Sequence, residues 1–449
     1  MGGILWNLGA FIVALGILVA VHEYGHFWVA RRNGVKVERF SIGFGKAIWR
    51  RMGKDGTEYV VAMIPLGGYV KMLDGRVDEV PEALKDQAFN HKSVWARMAI
   101  VVAGPMANFV FAIFAFWLMF LIGVPAVKPV LNDVTQSSPA AEAGLLPGME
   151  ILAIDGKAVR TWEDVNFALI ARIGDDATKF SVQDNRGQKT EARIALANWQ
   201  FNPDEQSPIS ALGLVPVGPA LTLTVAQVVE NGPASAAGVK TGDVLQAING
   251  ETLTDWRDLV NKVQASPEIE MELAVQRNGQ RQSILLTPAR HESTDRVIGY
   301  AGLAPQVLPV ADEYRFDLRY GPLAAVGAGM SRTWDLTVLT FQMLGKLVTG
   351  VVSVDNLSGP ISIAKGAGAT AEYGLVYFLG FMALVSVNLG IINLLPLPVL
   401  DGGHLLFYVI EAVTGRPVPE KIQEVGFKIG AALLVMLMGL ALFNDFARL

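Results

Sequence analysis

His22-Glu23-Tyr24-Gly25-His26 lies at the end of an apolar run that begins at Ile4, and two imidazoles beside a carboxylate in a stretch of membrane length need a reason. An ionisable side chain at bilayer depth costs at least ~2.5 kcal/mol on insertion scales, so such a cluster marks a functional site. The spacing narrows the choice. Residues i and i+4 share one face of a helix, so His22 and His26 can both turn a ring nitrogen toward one metal ion.

Glu23 is offset from that face and reaches a water beside the metal rather than the metal, the HExxH arrangement of zinc peptidases. The rest of the composition is consistent with a membrane setting. Among 449 residues 51% are hydrophobic and the mean hydropathy is +0.37, too apolar for an ordinary soluble chain but not uniformly so. A membrane protein with a soluble insert fits. The net charge of −5 gives no reason to expect nucleic-acid binding. The chain has no cysteine, so any metal must be held by histidine and carboxylate. Ile4 to Ala30 is not a cleavable signal peptide, because it lacks a basic start and an Ala-x-Ala end and contains the metal motif itself.

A membrane span needs about 20 apolar residues. Ile4–Ala30, Met98–Val124, Leu375–Leu395 and Val425–Phe443 qualify, which makes the expected fold a multi-pass α-helical membrane protein with four transmembrane helices. Between the first two spans lie Arg31, Arg32, Lys36, Arg39, Lys46, Arg50, Arg51, Lys54, Lys71, Arg76, Lys85, Lys92 and Arg97, so this loop is expected on the cytoplasmic side. The long segment from Pro125 to about Tyr373 then lies outside. Within the cytoplasmic loop Val37–Ile42, Glu58–Ile64 and Gly68–Lys71 alternate like strands. The tract Ile64-Pro65-Leu66-Gly67-Gly68-Tyr69-Val70 is too apolar for an ordinary hairpin turn. It reads either as a β-loop dipping into the membrane beside the metal, with Gly67, Gly68 and Tyr69 offering an edge to an extended substrate, or as a small membrane-associated β-sheet with no substrate role. In the second span Gly104 and Asn108 belong either near the metal or to close helix packing.

The outer segment repeats itself. Pro139-Ala140-x-x-Ala143-Gly144-Leu145-x-x-Gly148 recurs as Pro233-Ala234-x-x-Ala237-Gly238-Val239-x-x-Gly242, and Ala153-Ile154-Asp155-Gly156 recurs as Ala247-Ile248-Asn249-Gly250. An offset of 233 − 139 = 94 residues is domain-sized, so these are two tandem modules. They resemble PDZ domains of the circularly permuted bacterial kind, which implies peptide-carboxylate loops at Leu212-Gly213-Leu214 and Ala301-Gly302-Leu303. Trp162 and Trp256 are expected in the cores. Leu323, Val326, Met330, Trp334, Val338, Phe341, Leu344 and Val348 then recur at helical spacing, an amphipathic pattern that suits either a membrane surface or packing against the spans. A turn is expected at Asn356-Leu357-Ser358-Gly359-Pro360. The division is therefore 1–126, membrane region with the HExxH helix; 127–220 and 221–309, the two modules; 310–374, amphipathic helices; and 375–449, the closing membrane region.

Catalytic zinc usually has three protein ligands. The third span ends Asn393-Leu394-Leu395-Pro396-Leu397-Pro398-Val399-Leu400-Asp401-Gly402-Gly403-His404, where Asp401 follows two prolines that must interrupt the helix. His404 competes as ligand or stands beside it. HExxH in a first span, with Asn-x-x-Pro-x-x-x-x-Asp-Gly in a later one, resembles the site-2 protease family of intramembrane zinc metalloproteases. That resemblance covers essentially the whole chain. It implies one Zn2+ on His22, His26 and Asp401, Glu23 as catalytic base, and Asn393, Pro396 and Pro398 at the active site or on the substrate. It further implies a bacterial inner-membrane location and a single-span substrate such as a truncated anti-sigma factor or a remnant signal peptide. The rival reading is a membrane-anchored scaffold of peptide-binding modules whose metal is structural, which requires a fourth ligand such as His404.

Overall fold

The computed structural model describes all residues except 1, 78, 198, 200–205, 294–295, 351, 353–358 and 448–449. The turn expected at Asn356–Ser358 lies outside the described residues. Helix α1 (Gly2–Arg32) carries the HExxH motif and leads into β1 (Val37–Met52) and β2 (Glu58–Met72). Both strands are bent and paired twice. Val37 faces Met72 and Ile42 faces Gly68 on one side, while Phe40 faces Tyr59 and Trp49 faces Val61 on the other. Four strand segments therefore lie side by side, in the order 68–72, 37–42, 58–61 and 47–52. The segment 47–52 escaped the sequence reading because its polar and basic residues obscure the alternation. Gly43 and Gly45 sit at the bend with φ of 92° and 87°, a backbone region that side chains disfavour.

Helix α2 (Val94–Ile122) starts at the cap Ser93, whose hydroxyl accepts from Ala96 N. A first β unit follows, with β3 (Val124–Val127), β4 (Leu131–Val134), α3 (Pro139–Glu142), β5 (Glu150–Ile154), β6 (Lys157–Ala158), α4 (Trp162–Ala171), β7 (Ala177–Gln183), β8 (Lys189–Ala195), α5 (Pro208–Ala211) and β9 (Leu214–Pro216). The second unit has β10 (Ala220–Val228), α6 (Pro233–Ala237), β11 (Val244–Ile248), β12 (Glu251–Thr252), α7 (Trp256–Gln264), β13 (Met271–Arg277), β14 (Gln280–Leu286), β15 (Ala289–Ser293), β16 (Arg296–Tyr300) and β17 (Leu303–Leu308).

The repeat extends to the pairing: β4 lies against β9 with Val134 opposite Leu214, and β10 lies against β17 with Val228 opposite Leu303. It extends to the backbone as well. Ser137 and Asn231 have φ of 58° and 59°, and Asp155 and Asn249 have φ of 48° and 50°. Each unit has its own core, around Ile151, Leu169, Phe180 and Leu214 in the first and Leu245, Leu259, Leu273 and Leu286 in the second. Trp256 is buried in its core, whereas Trp162 is half-buried against the first one.

The chain returns through β18 (Arg315–Leu318), paired with β3, into α8 (Pro322–Val348), α9 (Pro360–Tyr373), α10 (Leu375–Leu394), α11 (Asp401–Thr414) and α12 (Glu420–Ala447). Four helices, Gly3–Arg32, Val94–Ile122, Leu375–Leu394 and Glu420–Ala447, are long and apolar enough to cross a membrane, matching the expected spans to within a few residues. Helix α2 is central and touches α1, α8, α10 and α11. Its Ala112, Ala115, Phe116 and Met119 pack on Leu379, Met382, Ala383 and Val387 of α10.

One continuous helix, α8, carries the amphipathic pattern. It turns Ala325 and Gly329 to α2, leaving Leu323, Met330, Trp334 and Phe341 exposed, so most of the apolar stripe is not core. At the far end the buried Asp445 of α12 accepts from the amides of Gly359, Ile361 and Ser362 at 3.0, 2.8 and 3.2 Å. It thereby caps the otherwise unsatisfied start of α9.

Candidate metal centre

Helix α1 presents His22 and His26 on one face, toward α2 and the start of α11. The distances are 3.2 Å between the two Nε2 atoms, 3.2 Å from His22 Nε2 to Asp401 Oδ2, and 3.3 Å from His26 Nε2 to the same oxygen. Zinc holds nitrogen and oxygen donors about 2.0–2.1 Å away in a tetrahedron, which sets neighbouring donors roughly 3.3 Å apart. The triangle therefore has the dimensions of three corners of such a site.

The donor chemistry agrees. His26 Nδ1 lies 2.8 Å from Ile100 O. A carbonyl only accepts, so Nδ1 carries the hydrogen and Nε2 turns a lone pair toward Asp401. Asp401 Oδ2 is buried without a hydrogen-bond partner. Lone pairs converging in this way form an arrangement that a cation between them stabilises. Among the described residues these three form the group able to hold a metal ion. His404 is not part of it and packs instead against Phe427 with ring centroids 5.1 Å apart.

Glycines make the convergence possible. A Cβ on Gly25 would strike Ala103 O, and one on Gly104 would strike the His26 ring. Gly104 thus makes room for the His26 ring itself, beyond close helix packing. Asn108, with no exposed surface, places its side-chain nitrogen 3.1 Å from His22 Nδ1. Helix α10 stops at Leu394, and the segment carrying Pro396 and Pro398 doubles back over the start of α11. Cβ atoms on Gly402 and Gly403 would collide with Leu394 O, Leu395 O and Pro398 Cα, so Asp-Gly-Gly is what this return requires. Arg97 of α2 holds α11 from the side, 2.6 Å from Glu411 Oε1 and 4.8 Å over the Tyr408 ring.

The cavity at this point, about 260 Å³, is lined by His22, Glu23, His26, Gly68, Tyr69, Val70, Met72, Phe89, Ile100, Val101 and Asp401. Strand segment 68–72 borders it, and a Cβ on Gly68 would meet Glu23 Cγ at 2.9 Å. The Tyr69 hydroxyl accepts from Arg39 at 3.1 Å. Gly67 packs on Phe44 and does not line the cavity, and neither do Asn393, Pro396 or Pro398. Pro398 instead lies against Gly426 and Gly430 of α12. Leu214 and Leu303 begin β9 and β17 in the β units. Sequence reasoning missed the apolar wall of Met72, Phe89, Ile100 and Val101 and the carbonyl that holds His26, since ordinary core residues and backbone atoms leave no motif.

Together, a helix of membrane length bearing HExxH and a carboxylate delivered from a distant apolar segment define a membrane-embedded metallopeptidase. The chain belongs to peptidase family M50, whose profile matches residues 10–437, and is a zinc metallopeptidase of the site-2 type. It is 53% identical over 446 residues to the regulator of sigma-E protease RseP of Escherichia coli, covering 99% of both chains. It is 52% identical over 453 residues to the protein of that name in Salmonella typhimurium, covering 100% of both. A Vibrio cholerae protein whose name places it among the zinc metalloproteases is 54% identical over 452 residues, again covering 100% of both chains.

Proposed function

We propose that this chain hydrolyses a peptide bond in the transmembrane segment of a single-span protein of the bacterial inner membrane, with one zinc ion held by His22, His26 and Asp401. The observation that carries the reading is the 3.2–3.3 Å triangle of donor atoms at the end of a membrane-length helix. Zinc bound there would supply Lewis acidity, activating a water and polarising the scissile carbonyl. Glu23, buried in the same cavity, takes the proton of the attacking water and passes it to the leaving nitrogen. A transmembrane helix hides its amides in its own hydrogen bonds, so the substrate must unwind. The edge at Gly68–Met72, next to Glu23, suits pairing with such an extended segment.

The names of the relatives support a place in sigma-E regulation, hence an anti-sigma factor already shortened on its outer side. The two β units read as tandem, circularly permuted PDZ domains, periplasmic if the basic loop 31–97 is cytoplasmic. They would exclude uncut substrates by size or bind a newly exposed carboxyl terminus at the loops before Leu214 and Leu303. Glu23→Gln is expected to keep its zinc while losing cleavage of a single-span substrate in detergent by roughly 10²–10⁴-fold. Cleavage at the parent rate would remove Glu23 as the base.

A further inference from the structure

The two histidines of the centre are held in different ways. Ile100 O faces His26 Nδ1 at 2.8 Å and, being an acceptor only, fixes which nitrogen carries the hydrogen. His22 Nδ1 faces the side-chain nitrogen of Asn108 at 3.1 Å. An amide has a donor end and an acceptor end, so this partner can support either tautomer. The acceptor end, Asn108 Oδ1, is buried and has no partner. The residue itself is fixed, since Ser386 Oγ of α10 donates to Asn108 O at 2.9 Å and no part of it is exposed.

We infer that Asn108 is the positioning residue that sets the tautomer of His22, presenting its Oδ1 to His22 Nδ1–H so that Nε2 is free to bind the metal. This rests on the metal-site reading above. A neutral imidazole that ligates through Nε2 must carry its hydrogen on Nδ1. A donor nitrogen opposite that hydrogen is repulsive, and a half-turn of the amide replaces it with the orphaned oxygen. The rotation exchanges groups of nearly equal size, so the packing between α1 and α2 is unchanged. Metal loading and the orientation of the Asn108 amide are thereby coupled. His26, which faces a backbone carbonyl, has no such freedom and is set for ligation beforehand.

The test is zinc affinity of the full chain in detergent, read by competition with a chromogenic chelator, together with the visible spectrum of the cobalt-substituted protein. Asn108→Leu keeps the branched shape and removes the acceptor. It is expected to weaken zinc binding 10–100-fold, the range for lost partners of metal-bound histidines, and to alter the cobalt spectrum. Asn108→Asp, which always accepts, is expected to bind within about threefold of the parent. If leucine prevents folding, Asn108→Ala replaces it with the same expected loss.

Parent-like affinity in the leucine or alanine variant overturns the inference. Equal losses in the aspartate and leucine variants also overturn it, because a side chain that offers an acceptor would then serve no better than one that offers none. His22→Ala separates the two levels. If it too binds zinc like the parent, the metal-site reading fails. If it loses zinc while Asn108→Leu does not, only the tautomer assignment fails.

Discussion

The membrane half and the β half of this molecule are assembled on opposite principles. In the membrane half the centre draws on α1, α2, β2 and α11, elements up to 379 residues apart by the numbers of His22 and Asp401 (401 − 22), and around its cavity they meet at contacts that only glycine allows. Gly25, Gly68 and Gly104 each occupy a place where a methyl group would collide with a neighbour. In the β half one design is used twice, and each copy closes its own core from its own strands. A change in the membrane half should therefore register at a distant atom, whereas a change in a β unit should stay in that unit.

The strongest test of the first half of this contrast is Gly104→Ala. The added methyl falls on the His26 ring, which is wedged between Gly104 and the Ile100 carbonyl and cannot yield without leaving the triangle. On the proposed site, displacing one of the three ligands should weaken zinc binding at least about 100-fold, read by chelator competition. An alanine variant with parent-like affinity would show that the centre has more room than its geometry implies.

How much of this was legible in the sequence follows the same division. HExxH is a local pattern on one helix, and the 94-residue repeat is a comparison of the chain with itself, so both could be read directly. Asp401 was legible because an acid stands alone in an apolar tract after two prolines. The contacts that join elements were not. Arg97 and Glu411 look like two ordinary charges until folding brings them to 2.6 Å, and nothing near Ile100 announces that its carbonyl holds His26. The exposed stripe of α8 was ambiguous for a physical reason: lipid and protein core ask for the same apolar side chains, and only the packing of Ala325 and Gly329 on α2 settles which face is turned inward.

The second half of the contrast is tested where the repeats differ. Asp243 pairs with Arg277 through two bonds of 2.7 Å and accepts from Lys240 N at 2.8 Å. The positions 94 residues earlier are Met149 and Gln183, so the first unit has no equivalent. The Arg277 hydrogen bonds hold the Asp243 carboxyl below the usual carboxylate range despite its burial. A depressed carboxyl contributes stability that is complete above its unfolded value, near pH 4, and is lost as pH falls through the lower folded value. Hydrogen exchange across β11 and β13, referenced to β5 and β7 in the same molecule, should quicken selectively below about pH 4. Asp243→Asn should produce the change at neutral pH, at a cost of about 2 kcal/mol confined to the second unit. Equal quickening in both units would mean that the copies are not independent.

The smallest effect concerns the helix α4, which side chains of α8 grip at both ends, beside the ion pair of 2.6 Å from Lys157 of β6 to Asp335 of α8. Arg332 reaches Glu163 at 2.8 Å and Asp164 at 3.1 Å, at the start of α4, and lies 4.5 Å over the Phe167 ring. Lys346 donates to Ala171 O and Ile173 O at the other end, at 2.7 and 2.5 Å. A cation at each end of one short helix fixes its direction as well as its position, and the lysine satisfies carbonyls that the end of α4 leaves open. Among the described residues no ion pair joins α7 to α8, so α8 grips α4 and not the corresponding helix of the second unit. Arg332 is partly buried, so its ion pairs should contribute about 1 kcal/mol to docking. Arg332→Ala should leave exchange in β5 and β7 unchanged while raising it several-fold in the first turn of α4, because the clasp holds the unit in place without holding it together. Faster exchange throughout the first unit would place the clasp inside that unit's folding and narrow the distinction between the two halves.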